Sequence, residues 1–176
     1  RVVGAYRQYV PVNTDSKKVI PAENIVPTDF PEGTTFEYKT PVDTSKPGDK
    51  DVVVVAKLNG EPIAEIPAKV TVVGPKTQYV AVGNEPDVNK SVDPSVFPKE
   101  AEAKPEYKEK DISKTPGEKD VTVVVKDKDG DTIVEVPAKV KVVQGNPQII
   151  PVDQGQPLAE NSINKGDYPE GATFEY

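Results

Sequence analysis

Ile66-Pro67-Ala68-Lys69-Val70-Thr71-Val72-Val73 returns 70 residues later as Val136-Pro137-Ala138-Lys139-Val140-Lys141-Val142-Val143. In the first copy Ile66, Ala68, Val70 and Val72 fall on one side of an extended chain, with Lys69 and Thr71 on the other. A two-residue period of this kind marks a strand with one face in a core and one toward water. The run before it obeys the same rule. Val52, Val54 and Ala56 match Val121, Val123 and Val125, so this face points inward, while Val53 and Thr122 suit partial exposure. Between the two runs lie Asn59-Gly60 in one copy and Asp129-Gly130 in the other. Both dipeptides tolerate the positive φ angles of a type I′ turn, so each pair of strands reads as a β-hairpin.

The repeat extends outward from these hairpins. Gln8-Tyr9-Val10 recurs as Gln78-Tyr79-Val80, again 70 residues on. Lys46-Pro47-Gly48-Asp49-Lys50 recurs as Thr115-Pro116-Gly117-Glu118-Lys119 at a spacing of 69, and the missing residue is absorbed in the hairpin loop, where insertions are tolerated. Pro169-Glu170-Gly171-Ala172-Thr173-Phe174-Glu175-Tyr176 restates Pro31-Glu32-Gly33-Thr34-Thr35-Phe36-Glu37-Tyr38. Val2-Val3-Gly4 matches Val72-Val73-Gly74. The expected organisation is therefore the tail of a preceding repeat at 1–6, full repeats at 7–76 and 77–146, and the truncated start of a third at 147–176. The opening on Arg1, with no signal-like apolar segment, reads as an excerpt of something longer.

Nineteen prolines and twelve glycines leave no room for long helices, and valine dominates the apolar residues. The chain is expected to be all-β. Tyr6–Val12 and Thr34–Thr40 read as further strands, with Ala22-Glu23-Asn24 irregular or forming a single helical turn. Two small antiparallel sheets packed face to face in each repeat, an immunoglobulin-like β-sandwich, are the expected architecture. The repeats are joined by Val73-Gly74-Pro75-Lys76 and by Val143-Gln144-Gly145-Asn146-Pro147, short linkers stiffened by proline.

Chemistry is constrained by what the sequence lacks. It contains no cysteine and no histidine, so disulfides and thiolate or imidazole metal sites are not available. A net charge of −7 argues against nucleic acid, whose phosphates require basic stripes, and against docking on anionic lipid. No apolar run is long enough to insert in a membrane as a helix. Asp127-Lys128-Asp129-Gly130-Asp131 superficially resembles a calcium loop, but its glycine is fourth and Thr132 stands sixth, so a solvated turn is expected. The carboxylate pairs Glu100/Glu102 and Glu106/Glu109 lie in a lysine-interleaved stretch and read as exposed surface. A Lys–Asn isopeptide would need a buried lysine, whereas Lys57 and Lys126 face outward by alternation. Tyr9/Tyr79 and Tyr38/Tyr107/Tyr176 recur with the repeat, which points to core or inter-repeat packing before a carbohydrate platform. No catalytic, cofactor-binding or metal-binding residue is expected, and no cofactor.

Phe30-Pro31-Glu32-Gly33-Thr34-Thr35-Phe36-Glu37-Tyr38 is followed by Thr40-Pro41-Val42-Asp43-Thr44-Ser45-Lys46-Pro47-Gly48-Asp49-Lys50, a valine run, a turn and Glu65-Ile66-Pro67-Ala68-Lys69-Val70-Thr71-Val72. That order of elements resembles the Rib, or Rib/alpha-like, repeats of Gram-positive surface proteins. The second repeat departs from it at Lys99–Tyr107 and where Val42-Asp43-Thr44 becomes Asp111-Ile112-Ser113. The resemblance implies an immunoglobulin-like domain repeated in a cell-wall-anchored, extracellular protein. It further implies a non-enzymatic stalk that carries an adhesive or immune-exposed tip away from the cell. The alternative is an adhesin whose repeats bind a host protein or glycan. In the stalk reading each repeat contacts its neighbours in the same chain, and the strand Ile63–Val73 sets a length of about 35 Å per repeat at about 3.3 Å per residue.

Overall fold

The computed structural model describes residues 5–176, so the match of Val2-Val3-Gly4 to Val72-Val73-Gly74 lies outside the described residues. All regular structure is β, with short 3₁₀ turns between strands. Strands β1 (Arg7–Pro11), β2 (Thr35–Tyr38), β3 (Gly48–Leu58) and β4 (Glu61–Val73) form one four-stranded sheet in the order β1-β4-β3-β2. Strands β5 (Gln78–Ala81), β6 (Lys104–Tyr107), β7 (Gly117–Lys126) and β8 (Thr132–Val143) repeat it as β5-β8-β7-β6. Residues after Val143 form 3₁₀ turns at Ala159–Ser162 and Lys165–Asp167 and no strand.

The valine alternation builds the cores as expected. Val54, Ala56, Val70, Val123, Val125, Val136 and Val140 are fully buried, and Val52, Val72 and Val121 nearly so. Each such valine contributes about 1.5–3 kcal/mol through burial. The connecting loops complete the cores from the open side: Val19, Ile25 and Val42 cover the first sheet, and Val92 and Phe97 cover the second. Thr71, expected to face water, is instead buried, because its hydroxyl donates to Asp49 and accepts from Arg7.

Two architectural expectations are corrected. The repeat does not contain two packed antiparallel sheets; each four-stranded sheet curls on itself, and loops and 3₁₀ turns occupy the face where a second sheet would lie. Nor is the pairing wholly antiparallel, because β1 runs parallel to β4 and β5 parallel to β8. Two whole strands intervene between β1 and β4, which gives the chain ample length for a parallel crossover. The curl is visible in one contact. On a flat sheet, β1 and β2 would be three strand spacings apart, about 14 Å, with Gln8 and Tyr38 offset by four further residues along β4, about 13 Å. The structure nevertheless joins Gln8 Nε2 to Tyr38 Oη at 3.0 Å.

The hairpin turns also differ from one another. Asn59 (φ 53°) and Gly60 (φ 80°) form the expected two-residue type I′ turn. In the second hairpin Gly130 alone has positive φ, at 83°. Gly130 N–H donates to the Asp127 carbonyl and Asp127 N–H to the Asp131 carbonyl, the pattern of a three-residue loop ending in a glycine bulge. The extra residue of this loop changes the turn type.

Candidate functional site

The recurring polar residues converge at one place in each repeat. In the first, Asn24 closes a 3₁₀ turn at Pro21–Asn24 and is completely buried. Its amide nitrogen donates to the carbonyls of Tyr6 (2.7 Å) and Lys69 (2.9 Å). Its amide oxygen accepts from Tyr38 Oη (2.6 Å) and Gln8 Nε2 (2.9 Å). Both donors and both acceptor positions of this side chain are thereby used. Gln8 also clamps the backbone of Ile20, donating to its carbonyl at 2.9 Å and accepting from its N–H at 3.2 Å.

The second repeat rebuilds the node with serine in place of asparagine. Gln78 Nε2 reaches Tyr107 Oη at 3.1 Å and the Asp87 carbonyl at 2.8 Å, and Ser91 Oγ lies 2.7 Å from Tyr107 Oη. The third stretch forms the node without a sheet: Gln148, Ser162 and Tyr176 lie within 3.1 Å of one another in pairs.

The hydrogen bonds of this node lock strands and loop together. Burial pushes the Tyr38 hydroxyl up to about 12, opposed by the hydrogen bond from Gln8 and reinforced by the carboxylate of Glu23. Burial likewise raises Tyr107, against the hydrogen bonds of Ser91 and Gln78. A tyrosine acting as a base or nucleophile needs the opposite shift. Neutral phenols that donate to buried acceptors hold the curled sheet shut.

A second set of contacts lies between repeats. Tyr9 of the first packs on Phe97 of the second, with ring centroids 5.2 Å apart. Tyr79 of the second stacks on Tyr168 at 5.6 Å. Phe97 and Tyr168 occupy equivalent places, each directly before a proline, as Phe30 does in the first repeat. Val73, the last residue of β4, is buried in the core cluster that contains Phe97 and Val92. The linker is pinned as well. Lys76 N–H donates to the Ser91 carbonyl at 2.9 Å and Asn146 N–H to the Ser162 carbonyl at 2.7 Å, as Tyr6 N–H does to Asn24 at 2.8 Å. Only Gly74-Pro75 and Gln144-Gly145 stand between a strand end and the next anchored residue. Gly74 itself lies against Pro47, whose Cγ would be 2.5 Å from any added Cβ.

The other sequence candidates separate from these sites. Asp127 Oδ1 accepts from the N–H groups of Asp129 and Asp131, so the loop's first carboxylate is committed to its own backbone. Among the described residues no cluster of carboxylates is arranged to hold a metal ion. Glu106 pairs with Lys126 at 2.8 Å, Glu37 with Lys57 at 2.7 Å, and Glu109 accepts from Thr122 N–H at the sheet edge. Glu100 and Glu102 are exposed. An open depression of about 650 Å³ at the junction includes Asp49, Lys76 and Asp93. Asp49 is already bound to Thr71 and Arg7, which hold its carboxyl below the usual range, so the hydroxyl of buried Thr71 is committed to these two partners, and Lys76 is exposed. No described helix is long and apolar enough to cross a membrane. Gln8 and Asn24 were not legible as a pair; the signal was the recurrence of Gln8 and Tyr38 with the repeat.

Residues 6–74 match the family model of the Rib domain. No curated protein matches the chain. Among solved structures, a Rib domain from Streptococcus pyogenes is 25% identical, over 41% of this chain and 91% of that one, with a TM-score of 0.35. Human mucin-like protocadherin EC1-2 is 12% identical, over 81% of this chain and 98% of that one, with a TM-score of 0.25.

Proposed function

We propose, from the match of residues 6–74 to the Rib domain family model, that the chain is a non-enzymatic spacer in a bacterial surface protein. Its repeats hold a more distal, adhesive or immune-exposed part away from the cell wall of a Gram-positive organism. The observation that carries this reading is the twice-made junction: Tyr9 on Phe97 and Tyr79 on Tyr168, with only two unanchored linker residues at each. Short, anchored linkers limit bending, and each added repeat then extends the array by a fixed step.

The register supports a value for that step. Tyr9 pairs with Thr71, eight residues along β4 from Ile63. Tyr9 also lines one depression with Ile133, the second repeat's counterpart of Ile63. Moving from Ile63 to Ile133 is therefore equivalent to about eight strand residues, or about 26 Å. The step is shorter than the full strand because the hairpin of one repeat overlaps β1 of the one before. Small-angle scattering on arrays of two, four and eight repeats tests the proposal. Maximum dimension should rise linearly by about 26 Å per repeat. A clearly sublinear rise would contradict it and favour repeats that act as binding modules.

A further inference from the structure

Twice in this chain a tyrosine on the first strand of one repeat sits against the aromatic residue that precedes a proline in the next. We propose that the face of the first repeat formed by Phe30 and Ile63 is a third acceptor of the same kind, and that its occupant is the first-strand tyrosine of another copy of this repeat placed ahead of it. The proposal rests on the spacer reading but goes further, since a spacer needs stiff linkers and not this particular latch.

Three observations support the assignment. Tyr168 makes two ring contacts at once: it stacks on Tyr79, and it meets Phe174 edge-on at 5.0 Å and 70°. Phe30 makes the second contact in nearly the same geometry, meeting Phe36 at 5.2 Å and 73°. The inner half of the acceptor is thus already assembled in the first repeat. Ile63 is 46% exposed, whereas its counterpart Ile133 is partly buried, packs on the second core as Tyr9 does, and lines one depression with it. An isoleucine near a hairpin tip is covered where a preceding β1 overlaps it and bare where, among the described residues, none does. The chemistry also fits the occupant. Tyr9 presents its ring to Phe97, and Arg7 on the same strand is held by Asp49 and Thr71, so the approaching edge is apolar at its centre and its charge is neutralised.

The test uses methyl resonances of the two isoleucines. In the full chain, Tyr9→Leu should shift the Ile133 δ1 methyl by removing the nearby ring current and leave Ile63 unmoved. Fusing a further copy of residues 7–76 ahead of the first repeat should move the Ile63 methyl toward the position of Ile133. Leucine at the tyrosine of that added copy should return it. An Ile63 methyl unchanged by the added copy, while Ile133 responds to Tyr9→Leu, would overturn the acceptor assignment and leave the spacer intact. An Ile133 methyl indifferent to both Tyr9→Leu and Tyr9→Ser, in chains whose other methyl signals show them folded, would overturn the latch itself.

Discussion

Gln8 and Tyr38 belong to strands at opposite edges of one sheet, yet their side chains are hydrogen-bonded at 3.0 Å. The bond exists only because the sheet curls, and Asn24 is the residue that closes the curl. Its four hydrogen bonds tie β1, β2, the 3₁₀ turn and the carbonyl of Lys69 on β4 into one unit. A repeat of about 70 residues buries a modest share of its surface, so a single lock of this kind weighs heavily in its stability.

Replacing Asn24 with alanine takes this donor from the carbonyls of Tyr6 and Lys69, and leaves Gln8 and Tyr38 without their buried acceptor. Each unsatisfied buried group costs about 1–3 kcal/mol, and relaxation recovers part of the sum, so a loss of about 3 kcal/mol is expected for the first repeat. Asn24→Ser, which introduces the residue found at Ser91 and Ser162, should cost less. Urea unfolding of both variants measures the order, and equal stability of Asn24→Ala and the parent would remove the lock.

Alkaline pH should open the same node. Tyr38 ionises near 10.0 in the unfolded chain and about 12 in the folded one. Its raised value means that folding favours the neutral phenol. The contribution is complete below the unfolded value and is lost as pH rises through the folded one. Tyr9 and Tyr107 shift the same way, through burial. Tyrosinate absorbance should therefore show a late-titrating group among the seven tyrosines, and Tyr38→Phe should remove its last component. A titration curve identical in parent and variant would contradict the assignment.

The two hairpin glycines offer a purely conformational test. Gly60 and Gly130 have φ values of 80° and 83°, and an added Cβ would meet nothing within 4 Å at either. Valine at either position therefore acts through backbone strain alone, about 1–2 kcal/mol. Thermal unfolding should register the loss in both variants, despite the different turn types.

The hairpins and their inward faces were legible because a period of two needs only local sequence: Val52, Val54 and Ala56 declare their side without knowledge of the rest. The parallel pairing of β1 was not legible, because its register on β4 is set by Gln8, Asn24 and Tyr38, which are up to 30 residues apart and ordinary in type. The single curled sheet was missed for the same reason, since alternation reports which face is buried and not what covers it. Phe97 was hidden by local divergence. It stands 67 residues after Phe30, while Tyr107 stands 69 after Tyr38, so two residues inserted between them disguise the equivalence. Asp129 was expected at positive φ by analogy with Asn59, and the longer loop made that conformation unnecessary.

The central claim is that neighbouring repeats are held in one orientation by the Tyr9–Phe97 contact and a pinned linker. Residual dipolar couplings measured on the full chain in a dilute aligning medium test it most directly, because each repeat reports its own alignment. Residues 7–73 and 78–143 should yield alignment tensors of the same magnitude and axes, and Tyr9→Ser should make them diverge. Two tensors that differ clearly in magnitude in the parent chain would show repeats that reorient freely, and would contradict the account.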